Sequence, residues 1–110
     1  MRQEPGPLLA VDVTADAEGA TVRVAGELDL NTVDELAARA SAAVDPQRAG
    51  VLVLDFADVG FCDSAGISVL VRLRQRCDEL GWRLTMVGLQ PSVRRMLVDF
   101  TGLGEYLDIQ

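Results

Sequence analysis

The sequence predicts a single α/β domain: one mixed sheet with an antiparallel hairpin at its N-terminal edge and helices on its face. Three observations predict it. Residues 8–24 hold two stretches that alternate apolar and polar, Leu8 to Thr14 and then Thr21 to Val24, split by a polar turn that ends in Gly19. Alternation of period two is the mark of a half-buried strand, and two such stretches across a short turn make a hairpin. Further on, the apolar run Val51-Leu52-Val53-Leu54 gives way to Ile67, Leu70, Val71 and Arg74, spaced by threes and fours, and then to a second strand-like run, Trp82 to Val87. Strand, helix, strand implies parallel strands joined by a right-handed crossover. Finally, 110 residues that are 49% apolar suffice for one core and one domain.

Taken in order, residues 1–7 are polar and broken by Pro5 and Pro7, which predicts a loose arm ahead of a domain spanning residues 8–110. In the first strand Leu9, Val11 and Val13 share one face. Ala15 to Gly19 is the turn, and Val22 and Val24 line the second strand. Asn31 is the expected N-cap of the first helix, with Asp34 and Glu35 putting negative charge in its first turn. Its apolar stripe is Val33, Leu36, Ala37, Ala40 and Val44, and Pro46 stops it. The run Val51–Leu54 fits a strand buried on both faces. An acidic loop, Asp55 to Asp63, follows. Asp63 or Ser64 then caps a helix that runs to about Leu80, with Gly81 as its expected C-cap and Arg72, Arg74 and Arg76 at the negative end of its dipole. Pro91 and Ser92 open a third helix with Val93, Met96, Leu97 and Phe100 on one face. Leu103, Tyr106, Leu107 and Ile109 form a closing apolar patch. Function in such sheets gathers at the carboxyl ends of the parallel strands, where Glu27–Asn31, Asp55–Ser64 and Gly88–Ser92 are expected to meet.

Composition narrows the chemistry. The net charge is −7, which disfavours nucleic acid as a partner. No apolar run reaches the ~20 residues of a membrane span, and the N-terminus has no secretory h-region, so a cytoplasmic address and no direct membrane contact are expected. All ten basic residues are arginine; the chain has neither lysine nor histidine. Ser64 sits at a strand-to-helix turn near a G-x-S-x-G pattern, but a serine nucleophile needs a base that this chain lacks. Asp55 at a strand end resembles a phospho-acceptor aspartate, yet that chemistry also wants a lysine. Asp55, Asp58 and Asp63 read instead as solvated loop acids and caps. No catalytic residue is assigned, and the chain is expected not to be an enzyme.

The remaining candidates are few. No G-K-[ST] or C-x-x-C spacing exists, so no metal and no cofactor are expected. Cys62 and Cys77 read as free thiols, and Cys62, just ahead of a helix N-terminus, is a candidate for a lowered thiol pKa and a redox role. The helix start itself is placed to receive a small anion or a partner's carboxylate. Gly60 is expected in a turn of positive φ, and Gly66 lets another backbone approach closely. Trp82 and Tyr106 are too few for a nucleic-acid stacking platform.

The ordered set Gly26-Glu27-Leu28-Asp29, V-L-V-L-D-F, F-C-D-S-A-G-I-S-V-L, V-R-R-M-L and T-G-L resembles the STAS domain over roughly Leu8 to Ile109, and within it the bacterial anti-sigma factor antagonists. That resemblance implies a four- to five-stranded mixed sheet with three to four helices. It implies a non-enzymatic regulator of transcription that works by partner switching: it binds an anti-sigma factor, usually a serine kinase, and so frees a sigma factor. The kinase inactivates the antagonist by phosphorylating the third residue of D-S-[ST]-G, and a phosphatase restores it. Asp29, Asp63, Ser64 and Gly66 match the family's motif positions and, with Ala65, form the expected partner-binding centre, with Ile67 and Phe61 as its apolar share.

One position departs from the family. Ala65 stands where the phospho-acceptor belongs and has no hydroxyl. A phosphate there would add about 1.5 to 2 negative charges to a carboxylate-rich loop. Ala65 keeps the small, uncharged form, which implies an antagonist that is always competent, or one phosphorylated on Ser64 instead. The rival reading is a STAS subunit of a membrane transporter, such as a lipid-asymmetry ABC system, docking on the ATPase subunit.

Overall fold

The computed structural model describes residues 9–110; the expected loose arm lies outside the described residues. Four strands form one sheet in the order β1-β2-β3-β4. β1 (Leu9–Asp16) and β2 (Gly19–Leu28) are antiparallel, while β3 (Val51–Cys62) runs parallel to β2, and β4 (Arg83–Val87) parallel to β3. Ile109 adds a single parallel bridge to Met86, the stub of a fifth strand. Helices α1 (Val33–Ala43), α2 (Ser64–Glu79) and α3 (Pro91–Arg94) supply the other layer, and α3 passes directly into a π-helical stretch, Arg95–Phe100. The expected mixed sheet with its edge hairpin is what forms.

The hairpin turn is tighter than expected. β1 runs on to Asp16, and only Ala17 and Glu18 separate the strands. The Asp16 carboxylate accepts hydrogen bonds from the backbone N–H of Glu18 and Gly19, and Gly19 takes φ +149° with no room for a side chain against Val51. An Asp side chain that folds back on its own backbone is a standard turn-former.

Burial alternates along every strand. Leu9, Val11, Val22, Val24, Leu52, Leu54, Phe56, Leu84 and Met86 lie under the helices. Their neighbours Asp12, Arg23 and Asp55 point to an uncovered face, where Arg23 Nε and Asp55 Oδ2 are 3.5 Å apart. From α1 the core receives Val33, Leu36 and Ala40, and Val44 just beyond it; α2 gives Val69, Leu70 and Leu73. Trp82 is buried too, and its indole N–H donates to the carbonyls of Asp45 (3.0 Å) and Arg48 (2.6 Å), tying the segment after α1 to the base of β4. α2 ends one residue earlier than expected: Leu80, not Gly81, is its C-cap, and Gly81 follows at φ +75°.

Four sequence expectations fail here. The stretch from Asp55 onward is not a loop: β3 continues for twelve residues to Cys62. It keeps pace with β2 through two bulges, each placing an extra residue on β3. Asp55 is therefore a strand residue paired to Arg23, and Gly60 sits in the second bulge, outside the set of positive-φ glycines. Phe100 does not join the apolar stripe of the third helix but is 73% exposed, whereas Val93 and Leu97 are buried. In a π-helix each bond spans five residues, so the face turns away from the 3.6-residue stripe before Phe100 is reached. Lastly, Asn31 is not the cap of α1; Thr32 holds that position.

Candidate partner-docking site

The candidate site lies where β2 and β3 end. Asp63 N–H donates to the Leu28 carbonyl at 3.1 Å, so the two strand ends are stitched together one residue before Asp29 and Ser64. Asp63 is the N-cap of α2: its extended backbone lets Oδ1 accept from the N–H of Ala65 (2.9 Å) and Gly66 (3.2 Å). Its carbonyl accepts the first helical bond, from Ile67 at 3.0 Å. Ser64, the alternative cap, is instead the first helical residue and is exposed. The Asp63 carboxylate thus occupies two of the free N–H groups at the helix start, the place where an outside anion was expected to dock.

On the β2 side Thr32 builds the turn. Its buried hydroxyl donates to the Glu27 carbonyl at 2.8 Å and accepts from Asp29 N–H at 3.0 Å, while the Asp29 carboxylate accepts from Asn31 N–H at 2.9 Å. This closes the turn and presents Leu30 outward, 75% exposed. Thr32 and Leu30 are the residues that sequence reading missed. Leu30 lies between polar neighbours in a turn, a position that periodicity does not weigh; the signal for Thr32 was its hydroxyl three residues after Asp29.

The structure brings Asp29 and the 63–66 tetrapeptide to one rim but gives its members different exposure. Ser64 is exposed, while Asp29, Asp63 and Ala65 are half-buried. Gly66 is buried, and a Cβ added to it would lie 2.7 Å from Cys62 Sγ and 2.9 Å from Leu28 Cγ. The close approach expected at Gly66 is therefore made by the domain's own side chains. Phe61, paired with Glu27 in the sheet, is 49% exposed and Ile67 half-buried. Leu30 and Phe61 are two of three large exposed apolar side chains among the described residues, and both flank this rim. The third expected loop, Gly88–Ser92, meets β3 further back, where Gln90 Nε2 donates to the Ala57 carbonyl at 3.0 Å.

Cys62 corrects another expectation. The thiol is 4% exposed, and burial, with the Asp63 charge adding to it, pushes its pKa up to about 12. Desolvation outweighs the helix dipole, so the thiol is held protonated rather than activated. Cys77 is buried likewise, and both cysteines are free. Among the described residues no three His, Cys, Asp or Glu side chains cluster in a way that could hold a metal ion. Nor, among them, is any helix long and apolar enough to cross a membrane.

Comparison with known proteins agrees with this fold. The family described as "Mlab, STAS domain" matches residues 11–107. The anti-sigma F factor antagonist of Paenibacillus polymyxa is 28% identical over 88 residues, covering 80% of this chain and 74% of that protein. A protein of the same name from Lysinibacillus sphaericus is 24% identical over 90 residues, 82% of this chain and 76% of its own length. The crystal structure of an anti-sigma factor antagonist from Mycobacterium paratuberculosis superposes with a TM-score of 0.76 at 27% identity, over 92% of this chain and 84% of that one. With a family match over residues 11–107 and the same overall fold, the chain belongs to the STAS domain family.

Proposed function

We propose that this chain is an anti-sigma factor antagonist. It binds an anti-sigma factor of the serine-kinase type and releases a sigma factor, acting in the cytoplasm by contact and not by turnover. The observation that carries the reading is the rim itself. A capped helix start offers an exposed Ser64 and is flanked by Leu30 and Phe61, apolar side chains left in solvent at one end of an otherwise well-buried core. Apolar groups with a polar surround suit a contact surface. The names of the relatives support the same assignment.

In this reading Asp29, Asp63, Ser64 and Ala65 touch the partner, and Gly66 lets the helix start sit low on Leu28 and Cys62. Ala65 takes the acceptor position without a hydroxyl, so the kinase has no substrate there. Ser64 is then the nearest hydroxyl for it, and a phosphatase would act only on that residue. The test is a calorimetric titration with serine-kinase-type anti-sigma factors, followed by incubation with ATP and mass spectrometry. Binding without phosphate incorporation marks an antagonist that is always competent; binding with phosphate on Ser64 marks a displaced switch. Binding to a transporter ATPase in place of any anti-sigma factor overturns the proposal.

A further inference from the structure

The two edges of the sheet are finished differently. At β4 the outward-facing backbone of Met86 is occupied: its N–H donates to the Asp108 carbonyl at 3.1 Å, and its carbonyl accepts from Gln110 at 2.9 Å. At β1 no such cover exists among the described residues. The bond from Val51 N–H to the Glu18 carbonyl fixes which residues of β2 face β3. It leaves Gly19, Thr21, Arg23 and Ala25 to face β1, where they pair with Asp16, Thr14, Asp12 and Ala10. The backbone N–H and carbonyl groups of Leu9, Val11, Val13 and Ala15 therefore point out of the sheet, toward solvent. The eight-residue edge carries no proline and no bulge, and Asp12 and Asp16 are the only charges on it, so it is blunted only in part.

From this edge we infer a second surface, on which two copies of the chain pair β1 against β1, antiparallel about a two-fold axis at Val13. An isologous contact requires each residue to meet its own counterpart across the axis. In this register Val13 faces the partner's Val13, Asp12 faces Thr14, Val11 faces Ala15, and Ala10 faces Asp16. No two carboxylates stand opposite each other. Outward groups at Val11, Val13 and Ala15 exchange about six hydrogen bonds. Val13, only half-buried while Leu9 and Val11 are covered, gains its missing neighbour. Seven paired residues are less than the contact of a stable dimer, and each copy carries net charge −7, so the dimer is weak and tightens with salt.

Sedimentation equilibrium of the full chain tests this. The expected result is a mass that moves from one chain toward two between micromolar and millimolar concentration, further at high salt. Thr14 is exposed, so two substitutions there read the register without disturbing the core. Thr14→Asp sets a carboxylate against the partner's Asp12 and weakens dimerisation several-fold; Thr14→Lys sets an ammonium there and strengthens it several-fold. Val13→Pro, which removes an outward N–H and no β1–β2 bond, abolishes it. A single-chain mass at every concentration overturns the inference, as does a dimer indifferent to both Thr14 variants.

Discussion

Replacing Asp63 by alanine and by asparagine separates the two tasks assigned to that side chain. Asp63 Oδ1 holds two backbone N–H groups at 2.9 and 3.2 Å, so Asp63→Ala strips the start of α2 of its acceptor. Loss of an N-cap costs about 0.5–2 kcal/mol, typically ~1. The carboxylate also faces the positive end of the helix dipole, which adds about 0.3–1 kcal/mol. The expected loss is therefore about 1–2 kcal/mol, or a Tm lower by roughly 5–10 °C for a domain of this size. Asparagine keeps the cap and gives up only the charge, so Asp63→Asn falls by no more than about 1 kcal/mol. Urea denaturation followed by Trp82 fluorescence measures both. Titration with the anti-sigma partner, well below either Tm, then reads contact: both variants bind more weakly if the carboxylate touches the partner. An Asp63→Ala midpoint equal to wild type would refute the capping argument, and an Asp63→Asn affinity equal to wild type would remove the charge from the contact.

Three further outcomes follow from the same geometry. Gly66→Ala forces a Cβ to within 2.7 Å of Cys62 Sγ and 2.9 Å of Leu28 Cγ; overpacking of about 1–3 kcal/mol exceeds the ~1 kcal/mol that alanine gains in a helix, so the urea midpoint drops. The Cys62 thiol, raised to about 12 from an ordinary 9.0, resists alkylation at pH 8 until denaturant is added. Its sign is fixed: as pH rises the unfolded thiol loses its proton first, so stability is intact below pH 9.0 and declines between there and about 12, which an alkaline unfolding series would follow. Under the proposed function, Ala65→Ser, which turns D-S-A-G into D-S-S-G, is expected to take one phosphate at position 65 from a serine-kinase-type anti-sigma factor, read by mass spectrometry.

Much of this architecture is legible in the residues because local rules and the global fold agree. The alternation of Leu9, Val11 and Val13 and the stripe Val33, Leu36 and Ala40 each name their own place, whereas the cap of α2 was narrowed only to Asp63 or Ser64. What was hidden depends on neighbours. Asp55 and Asp58 read as loop because they are acidic, but they are exposed or half-exposed on a strand whose second face has no cover. Only the length of β2 beside it shows that β3 must continue, with bulges taking up the extra residues. Cys62 sits ahead of a helix, which lowers a thiol pKa, yet it is packed against Gly66, which raises it; the winner is decided by burial, a tertiary quantity. Phe100 follows a 3.6-residue stripe that the backbone itself abandons at Arg95. The candidate rim was half legible: motif positions pointed to Asp29 and residues 63–66, whereas Leu30 is displayed by a Thr32–Asp29 turn visible only in three dimensions.

The account rests on contact through the rim at the ends of β2 and β3. The most direct measurement is a calorimetric titration of the wild-type chain and of Phe61→Asp against a serine-kinase-type anti-sigma factor. A one-to-one complex is predicted, together with a loss of about 2 kcal/mol, roughly 30-fold in Kd, for Phe61→Asp at an unchanged urea midpoint. Equal affinity of the two proteins, or no complex with any anti-sigma factor, would contradict it.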